Sequence, residues 1–251
     1  MIPASVVSEL QSEGFVRLVA GFDPFAAGRM RARVWRKLAV LGIDEADPST
    51  WPSGRQGKAV GSRRLQADRT LEAFWSKDVV AAIDALLGAE CWTRPAANEL
   101  LLTFPEANRP LRQLDPFHSD FAMDVPGDPL FALNIFSFVG SVAPGSGGTL
   151  VIRGSHRVAE RYLSALPPGF PRNRAASQFA ADHSWLASLG GSAGPVGVTH
   201  DADGIEVRVE ELTGEPGDVV ITHPWTLHAG ITSQGTTPRI MLRHRILRSP
   251  Q

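Results

Sequence analysis

Residues 116–122, "PFHSDFA", set an imidazole and a carboxylate two positions apart, as His118 and Asp120. In an extended strand residues i and i+2 point to the same face, so the pair offers one nitrogen and one oxygen ligand side by side. A third group must come from a distant histidine or carboxylate. The chain has seven histidines, and two of them, His223 and His228, directly follow the strand-like run "GDVVIT", where "HPW" has to turn the backbone. One His, one carboxylate at i+2 and one distant His form a facial triad. Such a set leaves open positions on one side of the ion and suits Fe(II) chemistry with O2.

Eleven residues beyond His228 stands Arg239, which opens the run "RIMLRHRIL". On a strand neighbouring the metal strand it can aim a guanidinium into the same cavity, where it is suited to hold a carboxylate through two parallel hydrogen bonds. A metal with open positions plus a carboxylate clamp points to a small dicarboxylate co-substrate. Arg243 shares a face with Arg239 by the period of two and is its rival for that task, or meets an anionic substrate group, or else belongs to a structural ion pair. Arg245 is expected near solvent. Asn134 is a polar residue in the apolar run "FALNIFSF"; it needs a partner if buried, in the core or on the co-substrate. His156, in "RGSHR", a turn expected to orient the loop leaving the strand with Gly154 supplying the backbone it needs, and His223, beside Pro224, are expected to be structural. His183, His200 and His244 carry no partner pattern and are expected at the surface or satisfied internally. Phe117 and Trp225 line the pocket or pack.

The elements that must hold these groups change in character along the chain. Residues 3–13 have Val6, Val7 and Leu10 on one helical face, with Gly14 ending the helix. "GFVRLVAGF" reads as a strand. Asp23-Pro24 is a helix start, with the acid as N-cap and the imino acid at the first position; Phe25, Met30, Val34, Leu38 and Leu41 then recur at helical spacing up to Gly42. Residues 44–64 are rich in Pro, Gly and Ser and read as loop, and "SKDVVAAIDALLG" reads as another amphipathic helix. From about residue 91 short apolar or alternating runs are separated by Gly, Pro and Asp turns, the pattern of an antiparallel sandwich or barrel. Residues 164–200 interrupt it with a long connection holding one short helix near 176–189, a candidate lid carrying Phe170, Arg172, Arg174 and Trp185. The reading is a single domain over 1–251, helical to about 90 and a β-core from about 91.

Composition narrows the function classes. Lys+Arg of 25 against Asp+Glu of 26 leaves no basic excess to track phosphates, so nucleic acid is not an expected partner. A single cysteine excludes a disulfide framework and any Cys-rich zinc or iron–sulfur site. The first residues lack the basic-then-apolar pattern of a signal peptide, and no apolar run approaches the ~20 residues that cross a bilayer. A cytoplasmic protein with a small-molecule substrate and no membrane partner is the expectation; nothing in the sequence sets the oligomeric state.

Four pieces in order, "PFHSD", "GSGGTLVIRGSHR" (145–157), "PGD…LHAG" and Arg239 at His+11, resemble the phytanoyl-CoA dioxygenase-like family of iron- and 2-oxoglutarate-dependent oxygenases. The resemblance spans most of the chain apart from 44–70 and 164–200. It implies a mainly β fold, a double-stranded β-helix (jelly roll, cupin-like) flanked by helices. It also implies Fe(II) on His118, Asp120 and His228, with 2-oxoglutarate chelating the iron and its far carboxylate on Arg239. The position two after the distal histidine often carries a hydroxyl in the family; here it is Gly230, so Thr149 or Thr232 is expected to help Arg239, with Asn134 a further candidate for the co-substrate. Activity would couple decarboxylation of 2-oxoglutarate by O2, giving succinate and CO2, to oxidation of a substrate C–H bond. Related halogenases carry a small residue in place of Asp120, so hydroxylation is favoured, with desaturation, cyclisation or epimerisation as alternatives. A small natural-product intermediate is the expected substrate.

Two other classes compete. A zinc hydrolase can use two His and one carboxylate around a metal-bound water, but has no use for Arg239. A non-catalytic jelly-roll binding protein would hold the His-Asp pair as a buried hydrogen-bonded couple.

Overall fold

The computed structural model describes residues 5–52, 69–95, 99–106, 110–121, 123, 130–189 and 196–249. Part of the loop expected at 44–64, namely 53–64, lies outside the described residues.

The amino-terminal third is helical. Helix α1 (Ser5–Glu13) buries Val6 and Leu10 and stops at Gly14, whose φ of +84° suits only a residue without a side chain. A Cβ there would also meet His156 Nδ1 at 2.5 Å and Thr226 Oγ1 at 2.7 Å. Strand β1 (Phe15–Leu18) follows, then α2 (Pro24–Ala39), capped as its sequence predicts by the Asp23 carboxylate, which accepts from Phe25 N and Ala26 N. The apolar spacing overstates this helix. Phe25 and Leu41 are exposed, because the first turn and the residues past Ala39 lie beyond the surface that α2 covers. Helix α3 (Lys77–Leu87) is capped by Ser76 and ends at Gly88.

The rest is an antiparallel double sheet. The larger sheet runs β1–β7–β3–β9–β2, with β2 (Glu99–Thr103), β3 (Ala132–Phe138), β7 (Val219–Thr222) and β9 (Arg239–Leu247). The smaller runs β5–β6–β4–β8, with β4 (Leu150–Arg153), β5 (Thr199–Ala202), β6 (Ile205–Glu211) and β8 (His228–Ala229). Apart from the β5–β6 hairpin, neighbours in the sheets are far apart in sequence, so each half of the strand set is laid beside the other; this is the jelly-roll arrangement.

Alternation along the strands sorts the core into three layers. Leu100, Leu102, Leu133, Ile135, Val219, Ile221, Ile240 and Leu242 face α1, α2 and α3. Leu101, Phe136, Phe138, Val151, Val220 and Met241 point between the sheets. Leu150, Ile152, Val207, Val209, Leu227 and Ala229 face the helices that cover the smaller sheet. Those helices are α4 (Ser155–Ala165), α5 (Ala175–Asp182) and α6 (Trp185–Ser188).

This region differs from the sequence reading twice. "GSHR" is the start of α4 rather than a turn, Gly154 supplying the left-handed residue at φ +80° before it. The single helix near 176–189 is two, broken at His183, whose ring engages the Phe179 carbonyl at 2.8 Å. Ala175, Phe179 and Leu189 are buried against Val158, Ala159 and Leu163 and anchor the segment on α4, while most of its other described residues are exposed.

Candidate active site

His118 and Asp120 lie on an irregular segment instead of the expected regular strand. His118 forms an isolated bridge with His228, donating N–H to its carbonyl at 3.0 Å and accepting at 2.9 Å. The ladder ends there because the Ser119 hydroxyl takes over: it accepts from Phe121 N and lies within hydrogen-bonding reach of the Phe121 and Pro224 carbonyls. The bridge still sets the two imidazoles side by side, with ring centroids 4.6 Å apart. On the other side, the turn at 223–226 is stitched to Gly14, whose carbonyl accepts from His223 N at 2.8 Å and from Thr226 Oγ1 at 2.6 Å. The end of α1 thus locates the entry to β8 and its histidine.

His118, Asp120 and His228 each present a ligand atom within 4.8 Å of the others. His228 Nε2 and Asp120 Oδ2 are 3.2 Å apart, close to the roughly 3 Å between neighbouring ligands at right angles around a metal at about 2.1 Å. His118 Nδ1 lies 2.8 Å from the Pro116 carbonyl and His228 Nδ1 lies 3.3 Å from that of Thr226. With Nδ1–H donated to a carbonyl, Nε2 on each ring keeps its lone pair for a ligand. His228 Nε2 is buried without a hydrogen-bond partner, a cost that a bound metal ion would remove. Burial opposes the charge on Asp120. Attraction from the adjoining His228, with the positive charges of Arg243 and Arg245 nearby, outweighs it and holds the carboxyl well below the ordinary carboxylate range.

Arg239 is buried between the sheets, donating from Nη1 to Thr149 Oγ1 at 3.2 Å and from Nη2 to Thr103 Oγ1 at 2.9 Å. Of the two threonines expected to help Arg239, Thr149 is the one in contact with it. It is held there by the preceding glycine loop, in which Gly145 N and Gly148 N both donate to the Glu211 carboxylate at 2.7 Å. A Cβ on Gly148 would collide with the Leu212 carbonyl. Thr232 turns away, its hydroxyl accepting from Arg112 N and donating to the Pro110 carbonyl. Thr103 escaped the sequence reading; its one signal is register, since it stands directly across from Arg239 on β2.

Asn134 faces the same interior, and its Nδ2 donates to Asp120 Oδ2 at 2.7 Å. Arg243 meets Glu99 and Asp120, the ion-pair alternative, while Arg245 is exposed.

The remaining histidines are engaged elsewhere. His223 Nδ1 accepts from Trp225 N at 3.2 Å and its Nε2 lies 3.3 Å from Glu160 Oε1, so both ring nitrogens are taken. His156 Nε2 donates to the Gln11 carbonyl at 2.9 Å, tying α4 to α1, and burial pushes its pKa down to about 4. His244 is buried, stacked on Phe74 at 4.2 Å between centroids. His183 packs on Phe179 and His200 stacks on Trp185. Phe117 and Trp225 pack in the layer outside the smaller sheet, whereas His228 faces inward against Phe136.

The chain is similar in fold to several solved structures. One is the epimerase SnoN in complex with Fe3+, alpha ketoglutarate and nogalamycin RO: TM-score 0.58, 16% identity, 99% of this chain and 88% of that one. Another is the non-heme alpha ketoglutarate dependent carbocyclase SnoK from nogalamycin biosynthesis: TM-score 0.59, 16% identity, 98% and 84% coverage. A third is AviO1 from Streptomyces viridochromogenes Tue57: TM-score 0.55, 14% identity, 99% and 96% coverage. No curated protein matches the chain by sequence. The family model for phytanoyl-CoA dioxygenase (PhyH) matches residues 10–241. That match takes in nearly the whole double sheet and both histidines that flank Asp120. The chain belongs to the phytanoyl-CoA dioxygenase family and is a non-haem dioxygenase that uses Fe(II), 2-oxoglutarate and O2.

Proposed function

We propose that this dioxygenase hydroxylates a C–H bond of a small natural-product intermediate, with His118, Asp120 and His228 holding the iron and Arg239 holding the far carboxylate of 2-oxoglutarate. The observation that carries the reading is the pairing of a buried, unpartnered His228 Nε2 in the triad with a buried guanidinium on the strand that floors the same interior. When bound, iron and 2-oxoglutarate supply an oxidant from O2, with one oxygen atom leaving in succinate beside CO2 and the other delivered to the substrate.

The chain's own residues then have separate tasks. His118 and His228 keep their rings oriented through Nδ1, and Asp120 brings the negative charge that favours a divalent ion. Arg239, with Thr103 and Thr149 bracing its two terminal nitrogens, offers its guanidinium where no water competes, so the co-substrate is oriented before substrate arrives. Phe136, Phe138 and Met241 keep the surrounding interior apolar. Asp120 supports hydroxylation over halogenation, because the carboxylate occupies the position a halide would need. The names of the similar structures, an epimerase and a carbocyclase from nogalamycin biosynthesis, favour a second reading in which the same oxidant inverts a centre or closes a ring.

The test has two stages. Anaerobic Fe(II) followed by 2-oxoglutarate should give the weak visible band of the chelate, absent in His118→Ala and needing far more 2-oxoglutarate in Arg239→Ala. The wild-type enzyme should then be screened against natural-product intermediates by mass spectrometry under labelled O2. Gain of one labelled oxygen atom supports hydroxylation; loss of two hydrogens points to ring closure or desaturation, and unchanged mass with altered stereochemistry to epimerisation. No band under any iron loading would overturn the site assignment.

A further inference from the structure

Arg243 is a charged side chain on the inward face of β9 that the reading above leaves without a task. Its side chain is 12% exposed. Nε and Nη2 donate to Glu99 Oε2 at 3.0 and 2.7 Å, and Nη1 donates to Asp120 Oδ2 at 2.5 Å. Glu99 stands directly across from it on β2, so the ion pair is a rung of the sheet. Each of the three guanidinium nitrogens is therefore directed at a protein carboxylate. An arginine held in this way is not placed to clamp the co-substrate, which is the task Arg239 can perform.

Asp120 needs such support. Its segment is joined to the smaller sheet by the His118–His228 bridge and the Ser119 hydroxyl, and among the described residues no ladder runs through Asp120 itself. The terminal torsion of an aspartate is broad, so backbone placement alone does not set the plane of the carboxylate. Two donors from the larger sheet do: Arg243 Nη1 and Asn134 Nδ2 converge on Oδ2 from neighbouring strands β9 and β3. Charge follows the same logic. An isolated guanidinium beside a cation site would repel the ion, but Glu99 cancels it from the far side.

We propose that Arg243, braced by Glu99, is a positioning residue for Asp120: it locks the carboxylate against the two histidines before metal binds, while Glu99 keeps its charge from weakening metal affinity. This rests on the reading of His118, Asp120 and His228 as the metal ligands.

The test is anaerobic Co(II) titration of the full chain, followed by its visible d–d absorption, with 2-oxoglutarate binding then measured at saturating metal. Arg243→Met is expected to weaken Co(II) binding ~10–100-fold, the usual range for outer partners of a ligand, and to alter the d–d band. Its 2-oxoglutarate affinity at saturating Co(II) should stay near that of wild type, the opposite of Arg239→Met. Arg243→Lys restores binding only in part, because one ammonium cannot reach both carboxylates as the planar fork does. Glu99→Gln, at a half-exposed position that tolerates change, also weakens Co(II) binding, whereas Glu99→Gln adds nothing once Arg243 is Met. Wild-type Co(II) affinity in both Arg243→Met and Glu99→Gln overturns the assignment. So does an Arg243→Met defect confined to 2-oxoglutarate. His118→Ala separates the two levels: if it binds Co(II) like wild type, the metal-site reading itself has failed.

Discussion

The two faces of β9 make different demands on one stretch of nine residues. Outward, Ile240, Leu242, His244 and Ile246 pack beneath the amino-terminal helices in a layer that contains no charge from this strand. Inward, Arg239, Met241 and Arg243 meet threonines, an apolar cluster and two carboxylates. A buried guanidinium is costly unless its donors are occupied, and each inward arginine has its partner directly across on β2, Thr103 for Arg239 and Glu99 for Arg243. The outward face supplies the rigidity that makes such placement possible, and the inward face uses it. Stability and chemistry are thus separated by the alternation of a single strand.

Substitutions on the two faces should separate accordingly. The largest effect expected on folding is from Leu242→Ala, which opens a cavity in the outward layer and should cost about 2–5 kcal/mol in chemical denaturation. Its 2-oxoglutarate affinity should be that of wild type once folded; a large loss there would break the division between faces. Arg239→Met should do the reverse, lowering 2-oxoglutarate affinity by ~10–100-fold, the worth of charged hydrogen bonds of about 1.5–3 kcal/mol, while leaving metal binding intact.

A smaller effect is expected from pH. Burial pushes the pKa of His244 down to about 3 and that of His156 to about 4 from an ordinary 6.5. The unfolded chain therefore takes up these protons first. Their contribution to stability is full above about pH 6.5 and declines as pH falls towards 4 and then 3, by at most ~1.4 kcal/mol per pH unit for each group. His244→Phe keeps an aromatic ring on Phe74 and removes one titration, so its melting temperature should fall less steeply with acid than that of wild type. An unchanged slope would remove His244 from the account. The smallest effect is Thr103→Val, where one neutral brace of Arg239 is lost. A rise of a few-fold in the 2-oxoglutarate KM, worth about 0.5–1.5 kcal/mol, would place Thr103 functionally on the inward face.

Local chemistry made parts of this legible without coordinates. Asp23 before Pro24 reads as a helix cap and is one; Gly14 and Gly88 end helices as expected. His118, Asp120, His228 and Arg239 stand out because their types and intervals match a known family, and the fold brings the first three within reach of a single ion. The misreadings share a cause. The His-x-Asp segment was expected as a regular strand, but a serine hydroxyl offers its backbone a closer partner. The α4 start resembles a turn because Gly154 is left-handed, and only burial against α1 and the smaller sheet carries the helix onward.

The amino-acid order alone thus settles which groups can act, where helices begin and end, and which alternate residues are apolar, since these depend on neighbours a few positions away. Thr103 opposite Arg239, and Glu99 bonded to Arg243 across 144 residues of chain, depend on strand register. Register is set by how two sheets close around a shared interior, and a slip of one residue would turn every one of these side chains to the other face.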